Sequence, residues 1–226
     1  MKNKKLIAAL ITIFSVLIID QWLKIYIKTS FYYGQKMPVL GEWFSLLFVE
    51  NPGMAYGWEI PFLPADVAKI LLSLFRIVAV VIIAVYLRGL VKKQLPTGLI
   101  VSIALVFSGA LGNILDSLFY GLVFSGSSMH SVATWVPFGT GYTGVLTGDV
   151  VDMLSFDLFT VDLPYYGEFN FFAPIFNVAD FAISLGVGII LVFHRKNFQK
   201  NFFAAKEEEE KAEIEQLQDE APASSN

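Results

Sequence analysis

LIAALITIFSVLIIDQWLKIYI, residues 6–27, decides the fold class. Up to Asp20 the run is almost wholly apolar, and at about 1.5 Å per residue it is long enough to cross the ~30 Å hydrocarbon layer of a bilayer. Lys2, Lys4 and Lys5 precede it, as in a secretory leader. No small-x-small cleavage site follows, however, and Trp22, Lys24 and Tyr26 read as interface anchors, so the expectation is a retained membrane helix. Three further runs share its character, at 67–87, 97–118 and 175–193.

Composition agrees. The chain of 226 residues is 55% hydrophobic, with a mean hydropathy of +0.61, which suits an all-α membrane protein better than a soluble domain. It contains no cysteine, which removes disulfides, thiol nucleophiles and thiolate metal sites. The two histidines, His130 and His194, are expected on opposite sides of the membrane, so no histidine metal centre is predicted. No basic patch interleaved with aromatics suggests nucleic acid as a partner.

Lysine and arginine orient the spans. The N-terminus, the second connection (Arg88, Lys92, Lys93) and the segment after the last run (Arg195, Lys196, Lys200) are basic and read as cytoplasmic. The first connection offers Lys36, and residues 119–174 hold neither Lys nor Arg but include Asp149, Asp152, Asp157, Asp162 and Glu168. These two face outward, giving four helices with both termini inside. EWFSLLFVE, residues 42–50, lies between Gly41 and Asn51-Pro52-Gly53 and predicts a small outer β element. Residues 121–148, rich in Gly, Ser and Thr, predict an outer loop. Residues 1–203 then form the membrane domain, and 204–226 an acidic, disordered tail.

With direction assigned, position becomes depth. Asp20 and Lys24 share a face near the outer end of the first helix. Asn113, Asp116 and Ser117 share one near the outer end of the third, and Asn177 and Asp180 open the fourth. Asp152 is expected on the outer loop before that helix, and Asn51 on the other outer connection. Ionisable groups in membrane spans are costly and are usually paired, cavity-facing or functional. Bland readings exist for each. Asn177 and Asp180 could simply cap a helix, Asp20 with Lys24 could be structural, Asn113 and Asp116 could be interhelical glue, and Asp152 a solvated acid. Arg76, well inside the second run, is expected to pair with a buried carboxylate. As chemistry, two carboxylates close enough to share a proton can activate a water and protonate a carbonyl. The rival reading is a small proton- or ion-coupled transporter, which would favour carboxylates strung through the full depth. A structural assembly subunit is a third.

ENPGMAYG (50–57), SGALGNILDS (108–117), VVDML (150–154) and FNVADFAISLG (176–186), in that order across four spans, resemble the lipoprotein signal peptidase (signal peptidase II) family. The resemblance implies an intramembrane aspartic endopeptidase of the bacterial cytoplasmic (inner) membrane. Its substrate is a diacylglyceryl-modified prolipoprotein, cut before the modified cysteine at the outer face. By motif the family's catalytic aspartates fall on Asp152 and Asp180. Asp20, Lys24, Asn51, Gly53, Ala55, Gly112, Asn113, Asp116, Asn177 and Ala179 fall on positions that shape the site or contact substrate. The resemblance implies no metal or organic cofactor, membrane phospholipid as a neighbour, and a monomer. Two departures stand out. Ser117 occupies the place of an arginine that usually follows G-N-x-x-D, with Arg76 the candidate substitute, and the segment 118–148 is long for the family.

Overall fold

The structure is a computed structural model that describes residues 2–41, 43–52, 64–157, 159–163, 167–172 and 174–200. Gly53, Ala55, Trp58 and the acidic tail lie outside the described residues.

Among the described residues, four helices are long and apolar enough to cross a membrane. The first, α1 (Lys2–Ser30), exceeds the apolar run at both ends. The second, α2 (Ala65–Lys92), starts behind Pro64, whose fixed φ suits a helix entrance. Helix α3 (Thr97–Val123) follows Pro96, and α4 covers Val178–Lys200. The turn between α2 and α3 is held by Lys5, which donates to the carbonyls of Gln94 and Leu95 at 2.6 and 2.7 Å. A basic residue of the N-terminus thus closes a turn at the same end of the bundle.

The helices run past most of the expected boundaries, and two of the differences have a local cause. Helix α3 does not stop at residue 118; it passes through a π turn, Asp116–Tyr120, and ends with Gly121–Val123. The last helix begins at Val178 rather than at 175, because Ile175–Phe176 forms a strand. Apolar character cannot separate a buried strand from the helix that follows it.

The described residues also form six strands: β1 (Lys36–Leu40), β2 (Phe44–Asn51), β3 (Val150–Phe156), β4 (Phe159–Leu163), β5 (Gly167–Phe172) and β6 (Ile175–Phe176). The first sheet is antiparallel in the order β1-β2-β3-β6, and β4 and β5 pair separately. The predicted outer β element is therefore present as β2, and it has recruited β3. Asp152 lies on this strand, not on a loop.

Helix α3 is the centre of the bundle and packs on α1, α2 and α4. The outward faces of α1 and α2, with Ile18, Phe75, Ile82 and Val85, are exposed in the protein alone; in a bilayer they meet lipid. Toward the basic end, Ala9, Leu90, Leu99, Ile100, Ala104 and Ile190 form one core cluster. Toward the other end, Ile27, Phe48, Tyr120, Phe124, Val151 and Met153 form a second, joining the helices to the sheet.

Helices α3 and α4 approach closely because glycine leaves room. A Cβ on Gly109 would stand 2.2 Å from the Ala179 carbonyl oxygen, and one on Gly186 would stand 2.5 Å from that of Ser102. Small residues at helix crossings serve this purpose in membranes. Gly109→Val is predicted to destabilise the bundle by at least the ~1–3 kcal/mol of an overpacked core, read as a lower melting temperature in detergent. Gly188→Ala is the control, since a Cβ there meets nothing within 4 Å, and it is expected to be neutral or slightly stabilising.

Candidate active site

The strand-to-helix junction β6–α4 sets the site. Asn177 is the N-cap of α4, and its side-chain oxygen accepts from the Asp180 N–H at 2.9 Å. Asp180 returns the bond, accepting from the Asn177 N–H at 3.4 Å. The reciprocal pair is a capping box that satisfies two otherwise unpaired helix donors. The other half of the Asn177 amide does something capping does not require. Its Nδ2 donates to Asp152 Oδ1 at 2.7 Å. One buried carboxamide thus holds Asp180 by its backbone and Asp152 by its carboxylate.

The sheet register explains why Asp152 is within reach. Leu154 pairs with Phe176 across β3–β6, so the chain leaves the sheet beside Asp152. On the other side Val49 is opposite Asp152, and Asn51, two residues further along β2, projects from the same face. Its Nδ2 donates to Asp152 Oδ2 at 3.0 Å. Asp152 is 4% exposed. Burial pushes its carboxyl up to about 6, the Asn51 and Asn177 donors oppose the rise, and the nearby Asp180 adds to it.

Beneath this pair lies a second polar layer. Lys24 is fully buried, and its Nζ is 3.0 Å from Asp20 Oδ2 and 2.8 Å from Asp116 Oδ2. It also donates to Asn113 Oδ1 at 2.9 Å, while Asn113 Nδ2 donates to Asp180 Oδ1 at 2.8 Å. Each oxygen of the two deep aspartates has further work. Asp20 Oδ1 accepts the Ala179 N–H at 2.8 Å, one of the unpaired donors in the first turn of α4. Asp116 Oδ2 accepts the Val151 N–H of β3 at 3.3 Å. The lysine layer therefore fastens α1, α3, α4 and β3 directly under the upper pair.

Two small residues permit this approach. A Cβ at Gly112 would lie 2.8 Å from Asp20 Oδ2 and 3.2 Å from the Ala179 Cβ, so neither position tolerates bulk. Ser117 faces inward: its hydroxyl bonds back to the Asn113 carbonyl at 3.4 Å, and its own carbonyl accepts from Gly148 N–H at 3.1 Å. Arg76 is half-buried and close enough to Asp180, Asp116 and Asp152 to interact with each electrostatically. Among the described residues no three His, Asp or Glu side chains group as a metal site requires.

A family model for signal peptidase (SPase) II matches residues 12–195. This chain belongs to the signal peptidase II family. Relatives named lipoprotein signal peptidase include that of Porphyromonas gingivalis strain ATCC 33277, 44% identical over 195 residues, covering 83% of this chain and 82% of the relative. That of Amoebophilus asiaticus is 34% identical over 191 residues, covering 81% and 75%. A solved bacterial membrane enzyme has the same fold, with a TM-score of 0.53 at 24% identity over 85% of this chain and 90% of that one. Signal peptidase II is a protease, and the matches give the transporter reading no support.

Of the residues singled out in the sequence, Asp20, Lys24, Asn51, Gly112, Asn113, Asp116, Asn177, Ala179, Asp152 and Asp180 come together here. Gln21 and Tyr120 escaped notice. Gln21 Nε2 donates to Asp116 Oδ1 at 2.9 Å and to Asp20 Oδ2 at 3.1 Å, and its Oε1 accepts the Tyr120 hydroxyl at 3.2 Å. Its place between Asp20 and Lys24 was the available signal. Also missed was Lys28, fully buried, which pairs with Glu50 and sits over the Tyr142 ring at 4.7 Å. Lys24→Met leaves Asp20 and Asp116 buried without their cation, which costs about 3–5 kcal/mol. The expected result is a large drop in thermal stability in detergent; wild-type stability would contradict the layer's role.

Proposed function

We propose that Asp152 and Asp180 are the catalytic pair of a membrane endopeptidase that removes the signal peptide from prolipoproteins. The observation that carries this is the Asn177 carboxamide, bound at once to the Asp152 carboxylate and the Asp180 backbone. The substrate is a prolipoprotein already diacylglyceryl-modified at its cysteine, and the bond cut is the one preceding that cysteine. The basic clusters support a topology with both termini in the cytoplasm of a bacterial cell and the aspartates at the outer margin of its inner membrane.

The chemistry follows from two carboxyl groups that cannot both ionise freely. Asp152, raised by burial, carries the shared proton. Asp180 takes a proton from a water as the water oxygen attacks the scissile carbonyl carbon. Asp152 gives its proton to the carbonyl oxygen, forming a neutral gem-diol. When the diol collapses, the C–N bond breaks, the amine leaves with the proton held by Asp180, and a diol hydroxyl returns its proton to Asp152. Asn113 holds Asp180 Oδ1 in place, and Asn51 does the same for Asp152 Oδ2. By motif Gly53 and Ala55 fall on positions that shape the site. Arg76 supplies the cation that Ser117 does not, facing the anionic part of the substrate or a neighbouring phospholipid; Arg76→Ala is expected to raise KM.

Asp152→Asn and Asp180→Asn, each confirmed to insert normally, should each lower kcat/KM on a diacylglyceryl-modified prolipoprotein by at least about 100-fold. Substantial cleavage by either variant defeats the assignment. The pH profile offers a separate check. Above a pH of about 6 Asp152 loses its proton, the pair becomes doubly charged, and kcat/KM should fall along an alkaline limb. Asn51→Leu removes a donor that favours ionised Asp152, so its pKa rises and the limb should move to higher pH; a limb that stays or moves down would show that Asp152 is not the proton carrier.

A further inference from the structure

Between Ser117 and Gly148 the sequence contains no Asp, Glu, Lys or Arg. Solvated loops of such length usually carry charge, and this one instead exposes Met129, Trp135 and Phe138 at 70%, 61% and 73%. The peptidase mechanism uses none of them.

Their level is fixed by the backbone. Phe124 and Trp135 form a β-bridge. Val136 N–H donates to the Val123 carbonyl at 2.9 Å and Gly139 N–H to that of Leu122 at 3.0 Å. Residues 135–139 are thus stitched to the last turn of α3. The rest of the loop is equally tied: the Trp135 ring lies 4.3 Å from that of Phe124, the Tyr142 hydroxyl accepts the Asp149 N–H at 2.8 Å, and Gly141 packs against the Gly121 carbonyl with no room for a Cβ.

The depth of that last turn follows from helix length. Helix α3 has 27 residues and rises about 40 Å, matching the ~40–45 Å of hydrocarbon plus headgroup layers. Its first residue follows the basic turn of Lys92 and Lys93, so Val123 stands in the interfacial layer of the opposite leaflet. Trp at that level, with an apolar ring and one N–H donor, is characteristic of membrane interfaces. The exposed apolar surface of the loop also continues that of the span, where Phe119 is 45% exposed.

We propose that Trp135 and Phe138 are immersed in bilayer lipid, so that residues 124–148 form an interfacial anchor lying on the outer leaflet. The anchor holds β3 at a set height, because Gly148 and Asp149 lead directly into Val150–Phe156. This goes beyond the peptidase reading and does not depend on which residues are catalytic.

The absence of cysteine makes the test clean. Trp135→Cys and Phe138→Cys, each nitroxide-labelled in the full chain in phospholipid nanodiscs, would be probed for collision with oxygen, which concentrates in lipid, and with an aqueous nickel chelate. Val85→Cys, on the exposed face of α2, gives the lipid reference and Lys92→Cys the water reference. At both loop positions the oxygen-to-nickel ratio should be several-fold above that of Lys92→Cys and toward that of Val85→Cys. A ratio equal to that of Lys92→Cys overturns the proposal, as does shielding from both agents, which would mean a protein partner or a second copy. If a label disturbs the loop, native Trp135 can be followed with Trp22, Trp43 and Trp58 changed to Phe. Quenching by brominated lipid supports immersion, and quenching by acrylamide alone refutes it. None of these readouts requires turnover, so an inactive Asp152 variant serves equally well.

Discussion

A lysine ammonium sealed from water is the condition on which the other contacts rest. Lys24 is fully buried between Asp20 and Asp116, at 3.0 and 2.8 Å, and taking away any one of the three leaves a buried charge without its partner. This mutual requirement brings α1 and α3 together at one height. The oxygens left over are then free to accept N–H groups from Ala179 and Val151, which ties in α4 and β3. The two elements carrying Asp180 and Asp152 are thus positioned by groups that need not touch a substrate. A hydrophobic interior of similar volume could be as stable, but it would not select one relative placement of four elements.

Asn113 carries that order upward. Its oxygen meets the lysine and its nitrogen meets Asp180, so a positive charge pulls on one end of an amide while the other end donates to a carboxylate. Chains of this kind strengthen each link through polarisation. Asp152 is held differently, by two neutral carboxamides from Asn51 and Asn177. Two chemically identical side chains therefore sit in unlike surroundings, one connected to the buried cation and the other held up by burial. Separation of this sort is how paired carboxylates acquire distinct duties.

Much of this was legible in the sequence, for identifiable reasons. Apolar runs and the basic residues flanking them are strong signals, so four spans and a common margin for Asp20, Asp116 and Asp180 could be read directly. Asp152 was harder. Its depth came from loop position, but its place on β3 depends on pairing with β2, about a hundred residues earlier, which no local pattern records. The start of α4 was misplaced because Ile175 and Phe176 suit a strand or a helix equally. The continuation of α3 through Asp116–Tyr120 was hidden for another reason: a π turn inserts one residue without changing composition. Lys28 went uncounted because a lysine near an outer helix end resembles an ordinary interface anchor. Only the fold brings Glu50 and the Tyr142 ring beside it.

The glycine seam between α3 and α4 bears on traffic as well as on stability. At Gly109 and Gly186 the two helices touch so closely that even a methyl group is refused. Neither an acyl chain nor a peptide can slip between them at that height. An approach to Asp152 and Asp180 sideways from the bilayer therefore cannot pass between α3 and α4, and that sealed wall gives an arriving chain something to stop against.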